Sequence, residues 1–577
     1  NNIIFALTLV IYLAGCNSIT ISQKISIPDY ESKMKAAWLG QMAGVGWGAS
    51  TEFHFNGEMI PAGKVPVWDQ SMINQQYQDD IYVEMTFLRT LEVYGLDVSI
   101  RQAGIDFAGS RYGLAHANEC GRNNLRRGIA PPYSSHPKYN KHADDIDYQI
   151  EADYSGIIAP GMPQLVIELA EKFGRLMNYG DGVYGGHFVG AMYANAFFET
   201  DIQKIVQAGL RCIPAESQYA ETIRDVINWH KTYPKDWQKT WRLIEKKYNL
   251  NPEYRKFSCT RGTEDADENI DAKINGAYIV MGLLYGEGDM DKTITIAMRC
   301  GQDSDCNPSN AGGILATSLG MENLPARYKT GIDKITNFSY TSYNLKSLMD
   351  VCVMLAKKAV LRSGGSIEKN AQGIEEFVIP YKEPVVPPVV QSWAPEEITG
   401  DVYFSEAEMD KITFKIRRPE ELVNVWVVAG PFSKKGVSGL DLFDVLFAPE
   451  IDSNYAIWKK IPVEVDGFDA GCVNLLKFFN AENSVAYLKT NVWIASPQKV
   501  ILEIGSDDGV KVWVNHQLVH QNDQERGLEQ GQDIAPADFK KGWNSILMKI
   551  TQGEDEWGAS LSIADLNRKL IDGLKYK

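Results

Sequence analysis

Apolar residues change their period part-way along this chain, and that change most constrains what it can fold into. Through residues 30–361 they recur at helical spacing, as in 81–94 (IYVEMTFLRTLEVY), 165–176, 186–198 and 272–285. From 402 onward short alternating runs take over, among them 424–429 (NVWVVA), 499–504 (KVILEI), 510–514 (VKVWV) and 545–550 (SILMKI), with Gly, Asp and Asn between them. A helix buries a stripe and a strand buries one face, so the two halves demand separate cores. A length of 577 residues agrees, because single cores stop growing at about 250–300 residues. Between the halves, residues 382–388 (KEPVVPP) cannot continue a helix, since proline lacks the amide donor and restricts its predecessor. The prediction is a multidomain chain: an all-α domain over 25–365, a linker over 366–400, and an all-β sandwich or jelly roll over 401–577. No fixed-period repeat is present.

Charge narrows the partners. With 58 Lys and Arg against 74 Asp and Glu the net charge is −16, and no basic run stands out. A broad nucleic-acid footprint needs clustered cations to neutralise phosphates, so no nucleic-acid partner is expected. Eight cysteines are present. Apart from Cys16 they are scattered, without a CxxC pair or zinc-ribbon spacing, and do not read as a disulfide framework. Near the start, residues 3–13 (IIFALTLVIYL) form an apolar run of signal-peptide length, followed by Leu13-Ala14-Gly15-Cys16. That order resembles the lipobox of bacterial lipoproteins. The resemblance implies a signal peptide over 1–15, acylation of Cys16, and lipid anchoring in the bacterial cell envelope, at the outer membrane or cell surface. Membrane contact would be through that anchor only. A plain secretory signal is the alternative.

Four aspartates in two distant segments carry the chemistry. Asp79 and Asp80 follow Gln78 and open the periodic run 81–94, where carboxylates would meet a helix N-terminus. Helix capping explains them as well as a site does. Asp303 and Asp305 lie two apart in 299–313 (RCGQDSDCNPSNAGG), a turn rich in small and polar residues. Both side chains reach one spot only if this backbone is a loop, and oxygen-rich turns of that kind suit Mg²⁺, Mn²⁺ or Ca²⁺. A surface Asx-turn is the competing explanation. The small residues that follow, Ala311, Gly312, Gly313, Ala316 and Ser318, would let a helix pack very close to a neighbour.

Taken together, 33–53 (KMKAAWLGQMAGVGWGASTEF), 78–81 (QDDI) and 301–313 (GQDSDCNPSNAGG) resemble three motifs of the ADP-ribosylglycohydrolase family, in the family's order. Those motifs are a Gly-rich helix ending in a loop with a glutamate, a Thr-Asp-Asp-Thr segment, and a late Gly-Gly-Asp-Thr-Asp-Thr segment. The resemblance covers roughly 30–362. It implies an all-helical catalytic domain in which Asp79, Asp80, Asp303 and Asp305, with Gln78, hold divalent metal, Mg²⁺ with Mn²⁺ or Ca²⁺ as alternatives, as a pair of ions. It places Glu52 as substrate-positioning residue or general acid and base. It also sets Asp153, Ser155 and Gly156, within 142–163, against the ribosyl and phosphate groups. Asp144, Asp145, Asp147, Glu151 and the Gly-rich 180–187 up to His187 fall beside the same cleft, or belong to ordinary turns. Trp47, Trp68 and Tyr77 offer a stacking wall or simply core.

Departures from the family pattern are plain. Val45 replaces an early aspartate, while Gln78, Ile81 and Cys306 stand where threonines are usual. An amide oxygen remains a hard ligand, but a thiol is a poor partner for Mg²⁺. In the last third, 503–515 (EIGSDDGVKVWVN) and 541–549 (KGWNSILMK) resemble accessory jelly rolls of the PA14 or galactose-binding type. Trp513, Trp543 and Trp557 there fit a core better than a sugar platform. Three functions compete. The first is a metal-dependent hydrolase of ADP-ribosylglycohydrolase type cleaving an N- or O-glycosidic bond to a ribose-like sugar. The second is an exported glycoside hydrolase of the same fold acting on environmental glycans, and the third a non-catalytic surface glycan-binding lipoprotein. The expected partner is a small-molecule or glycan substrate, and the oligomeric state is left open.

Overall fold

The computed structural model describes residues 22–75, 77–257, 269–452, 455–464, 470–554 and 556–577. Cys16 and the apolar run before it lie outside the described residues. Contacts divide the chain into two compact units, one of 22–98, Asp144–Gly174 and Gly180–Ala394, the other of Ser99–Ala143, Arg175–Tyr179 and Pro395–Lys577.

The first unit is built on the helix Ile27–Gly48. Ser26 caps it, its hydroxyl oxygen accepting from the Asp29 amide at 3.1 Å. From Ala36 to Gly48 every residue is buried, the signature of a helix enclosed by others on all sides. Its main neighbour is the helix Cys306–Asn323. The two meet along glycines. A Cβ on Gly40 would lie 2.5 Å from the Gly312 carbonyl oxygen, one on Gly44 2.2 Å from that of Pro308, and one on Gly48 2.2 Å from that of Ser304. Positions four apart share a helix face, so these three glycines clear one continuous seam. The opposing residue numbers fall as the glycine numbers rise, so the helices are antiparallel. Around them pack Asp181–Ala196, Ala272–Gly286 and Met290–Arg299.

Both ends of this helical body meet in a small antiparallel sheet. Ser22–Ser26, before the first helix, pairs with Glu375–Pro380, which also pairs with Ser366–Lys369 after the last long helix, Leu345–Arg362. These two later strands lie inside the segment expected as linker.

The second unit contains the β-rich region. One antiparallel sheet runs in the order Gln517–Asn522, Val510–Val514, Gly542–Gln552, Ser484–Ile494, Trp426–Phe432, Lys459–Ile461, with Lys575–Tyr576 also pairing Ser484–Ile494. A second runs Asp533–Phe539, Gln498–Asp507, Gly558–Ala564, Val473–Asn474. Inward residues of both sheets, such as Val512, Met548 and Leu488 from one and Leu502, Leu561 and Ala537 from the other, share one core. That is the sandwich expected from the period-two runs. Of the tryptophans, Trp557 is buried in this core, Trp513 is half-buried, and Trp543 is exposed with the Lys577 ammonium 4.0 Å from its ring centroid.

Two helices from the first third of the chain, Ile100–Ala108 and His116–Arg126, also belong to the second unit. Extended chain beyond the tryptophan at 393 is stitched to them. The Ala130 amide donates to the Val402 carbonyl at 2.8 Å, the Phe404 amide to Gly128 at 2.8 Å, and Arg101 binds Glu408 through two bonds of 2.6 Å. Helix followed by strand is thus the order along the chain, as expected, and the contact units cut across it. No described helix is long and apolar enough to cross a membrane.

The seam yields a direct test. Gly44→Ala forces a methyl group into the Pro308 carbonyl, and overpacking of this kind costs about 1–3 kcal/mol. Gly63→Ala is the control, because a Cβ there meets nothing within 4 Å. Chemical denaturation should show the first variant clearly destabilised and the second within about 0.5 kcal/mol of wild type. Equal midpoints for the two would mean the helices are not in close contact.

Candidate metal centre

The antiparallel seam brings the C-terminal end of Ile27–Gly48 beside the N-terminal end of Cys306–Asn323. A Cβ on Gly48 would stand 2.4 Å from the Asp305 Cα. Main-chain bonds then tie the following loop to the acidic turn: Gln302 donates to the Phe55 carbonyl at 3.0 Å, and Phe53 donates to the Gln302 carbonyl at 3.1 Å. Thr51 and Ser304 hydroxyls lie 2.7 Å apart, adding a side-chain bond. Gly301 and Gln302 both take the left-handed conformation, with φ of 79° and 57°, which turns the chain sharply before the helix. Asp303 and Asp305 are therefore in a loop, as their spacing required, and both are buried. Their carboxylates and the Cys306 thiol offer donor atoms within 4.8 Å of one another.

Asp79 and Asp80 arrive on the first turn of the helix Asp79–Tyr94, whose N-cap is Gln78 without a side-chain capping bond. Capping accounts for Asp79 in part, since its Oδ1 accepts from the Asp80 amide at 3.2 Å. It does not account for Asp80. Asp80 is completely buried, and neither of its carboxylate oxygens accepts a hydrogen bond of ordinary geometry.

The electrostatics place both pairs, with Glu52, in one cluster. Burial raises all five carboxyl groups above their ordinary range, and neighbouring carboxylates add to it at Glu52, Asp80, Asp303 and Asp305. Glu52, exposed at the rim, is pushed up to about 8 by desolvation and then by Asp305 and Asp79. Asp303 also reaches about 8, through burial together with Glu52 and Asp80 and despite a bond with Asp305 that lowers it. Asp80 is held well above the carboxylate range by burial, Asp79 and Asp305, and Asp305 by burial, Asp303 and Asp79. Asp79 is raised by burial. Like charges this close are unfavourable unless protons or cations neutralise them. The donor set, hard oxygens that include a buried carboxylate accepting no hydrogen bond of ordinary geometry, fits a divalent cation.

Without a bound cation Cys306 is a thiol and not a thiolate. Burial, then Asp303, Asp305, Asp80 and Asp79, raise its pKa, so the thiol keeps its proton and donates toward Asp305 Oδ1 at 3.6 Å. A threonine hydroxyl would do the same more strongly.

Behind the cluster lies a second carboxylate layer. Glu84, one turn after Asp80, is fully buried and accepts from the Gln41 amide group and from the Tyr154 backbone amide at 2.9 Å. Burial and then Asp153 raise it well above its ordinary value. Sequence reasoning missed Glu84, although the four-residue spacing from Asp80 inside an apolar run was a usable signal. Asp153, Ser155 and Gly156 lie on the short helix Asp153–Ile157 within the packed interior. Asp153 accepts from Tyr193 at 2.6 Å and from Asn310 at 2.8 Å, and is pushed up to about 8 by burial. Ser155 donates to the Ala152 carbonyl at 2.6 Å, and a Cβ on Gly156 would meet the Gly190 carbonyl at 2.2 Å. Asp144 joins Asp181 and Asp271 around the buried Lys273. Burial pushes that ammonium down, and the three carboxylates outweigh it. His187 is buried 3.4 Å from Glu171. Trp47 and Trp68 pack edge to face at 5.2 Å under the Arg327 guanidinium, whereas Tyr77 is exposed beside Tyr340.

A family model described as ADP-ribosylglycohydrolase matches residues 26–361, more than half of the chain, and the chain belongs to that family. A solved structure described as "ADP-ribosylglycohydrolase-related protein complex" aligns with 58% of this chain and 100% of its own at 13% identity, with a TM-score of 0.37. No curated protein matches the sequence. Membership implies hydrolysis of glycosidic bonds and a small-molecule substrate, and the family typically binds divalent metal.

A pH dependence follows for the protein in chelator. Asp303 has an unfolded value near 3.8 and a folded value of about 8, so the folded state binds more protons between those limits. Its contribution to stability is fully present below about 4 and is lost as pH rises through about 8. Asp303→Asn removes the group. The melting temperature of the variant relative to wild type should therefore rise steadily from about pH 5 to about pH 8. Parallel curves across that range would mean Asp303 is not crowded by other carboxylates.

Proposed function

We propose that the protein is a metal-dependent hydrolase of ADP-ribosylglycohydrolase type that cleaves an N- or O-glycosidic bond to a ribose-like sugar. The observation that carries this reading is Asp80, a completely buried carboxylate whose oxygens accept no hydrogen bond of ordinary geometry, with only the Cys306 thiol and Ser309 hydroxyl near enough to favour its charge, inside a cluster of four more. In this reading Asp79, Asp80, Asp303 and Asp305 hold the cations, with the Gln78 amide oxygen available at the edge. Bound cations would polarise sugar oxygens and orient the attacking water. Glu52 is the exposed member of the cluster, so it is the carboxyl group that substrate can reach. Its raised pKa suits a group that gives and takes a proton near neutrality. Glu84, Asp153 and Asn310 hold the metal-bearing elements from behind, and Ser155 and Gly156 keep that layer packed.

Three variants separate the roles. Titration of Mg²⁺ or Mn²⁺ into the wild type should give heat, and Asp79→Asn and Asp303→Asn should each abolish it despite their distance in sequence. Glu52→Gln should keep the metal heat and lower kcat on ADP-ribosyl substrates or nitrophenyl glycosides by about 10²–10⁴-fold. No heat with the wild type would remove the metal-dependent mechanism. Unchanged turnover in Glu52→Gln would remove Glu52 from the chemistry.

We further propose that Cys16 is acylated and that the protein is held at the bacterial cell envelope by this anchor. Support comes from the apolar run 3–13 ending at Leu13-Ala14-Gly15-Cys16. Cys16→Ala should shift the protein from the membrane fraction to the soluble or unprocessed pool. Unchanged fractionation would disprove lipidation at this residue.

A further inference from the structure

The second unit contains a cavity of about 480 Å³ whose charge is opposite to that of the protein. Among the described residues Arg111, Arg122, Arg126, Arg127, Lys415 and Arg568 line it, against Glu119 and Glu529. In a chain of net charge −16 this is a concentrated reversal of sign. Its volume lies in the range of small-molecule sites, about 300–1,000 Å³.

The cationic lining is built and rigid. Arg126 is fastened by backbone oxygens, its Nε donating to Ala108 at 2.9 Å and its Nη2 to Ser110 at 2.6 Å. Arg122 is buried and donates to the Tyr112 carbonyl at 2.6 Å and to the Ser110 hydroxyl at 3.3 Å. Carbonyls orient a guanidinium without cancelling its charge. Among the described residues Arg126 forms no ion pair, and burial followed by the neighbouring Arg122 pulls it down to about 10. The nearby carboxylates of Glu529 and Glu119 pull Arg126 the other way without outweighing burial and Arg122. On the other wall the Phe414 ring is flanked by Arg111 at 4.5 Å and Arg126 at 5.3 Å, which fixes the direction of both guanidinium planes. Arg568 and Lys415 are already paired, with Glu503 at 2.8 Å and Asp410 at 3.6 Å. Neutral amide side chains complete the lining at Asn123 and Gln530, the latter with a buried Oε1 that accepts no hydrogen bond, whereas Gln532 is tied to Gly527 and Ser506.

We propose that this cavity binds a sugar-sized ligand bearing an oxyanion, a phosphorylated, sulphated or carboxylated sugar, with Arg126 and Arg111 meeting the anionic group and the amides meeting its hydroxyls. Guanidinium forks match planar carboxylate and tetrahedral phosphate or sulphate alike. The cavity draws no residue from the carboxylate cluster, so this inference stands independently of the hydrolase mechanism.

The test uses the full chain in chelator, which removes any cation that could hold an anion at the carboxylate cluster. Glucose 6-phosphate, glucose 6-sulphate, glucuronic acid and neutral glucose are titrated in turn, with binding read by calorimetry and by melting temperature. At least one anionic probe should bind about tenfold or more tightly than glucose, and its identity tells which oxyanion the site takes. Affinity should fall as NaCl is raised from roughly 50 mM to roughly 500 mM. Arg126→Gln should weaken binding by about tenfold or more. If loss of its backbone bonds unfolds that variant, the exposed Arg111→Gln decides the matter by the same measure. The proposal is overturned if no anionic probe outbinds glucose, or if the anion binds Arg111→Gln as it binds wild type.

Discussion

The close contact between two antiparallel helices underlies everything else in the helical unit. Glycines at 40, 44 and 48 strip the side chains from one face of Ile27–Gly48, and backbone carbonyls of Ser304, Pro308 and Gly312 occupy the space. Contact at that range transmits position with little slack, because any added methyl group must displace main chain. Its functional result comes from direction. Antiparallel packing places the end of the first helix at the start of the second, so the loop with Glu52 is delivered to the turn with Asp303 and Asp305, and main-chain bonds through Phe53, Phe55 and Gln302 hold the two together.

The resulting cluster is expensive for the fold. Burial raises five carboxyl groups, four of them further by their neighbours, and the buried Asp80 accepts no hydrogen bond of ordinary geometry. A structure designed only for stability would replace such groups with apolar ones, since buried unpaired charge is among the largest single penalties available. Both aspartate pairs do sit at helix N-termini, where the dipole favours negative charge, but that effect is about 0.3–1 kcal/mol and cannot balance the desolvation of several carboxylates. A divalent cation can. Beneath the cluster, Glu84 and Asp153 repeat the same theme with satisfied hydrogen bonds, to Tyr154, Tyr193 and Asn310. The two layers differ in that the deeper carboxylates have hydrogen-bond partners of ordinary geometry and Asp80 has none.

In the second unit the same reasoning runs with the sign reversed. Backbone carbonyls, not carboxylates, orient Arg126, so its charge stays available. The sandwich core supplies the rigid support, with both sheets contributing to one apolar layer, while the charged groups come from loops and from helix ends, where backbone geometry is free to vary.

Much of the fold was legible in the sequence. Helical and period-two spacing are local properties written by side-chain direction, so the all-α and all-β regions and their order could be read directly. The acidic turn at 303–305 was legible as a loop because two carboxylates two residues apart cannot share a direction on a helix. Small residues at 311–313 announced a close helix contact. What the sequence could not say is which groups meet. Asp80 and Asp305 are brought together by packing across more than two hundred residues, and their spacing carries no trace of it. The same holds for Glu84, which reads as one acid in an amphipathic run until Gln41 and Asp153 surround it, and for Asp153, whose bonds to Tyr193 and Asn310 are made only in the packed interior. Nor did periodicity reveal that Ile100–Ala108 and His116–Arg126 join the β-rich unit, or that Arg126 faces Phe414. Local period determines which elements form, because it depends on neighbours in the chain; partnership depends on surfaces that exist only after those elements pack, and that was decided by the tertiary structure alone.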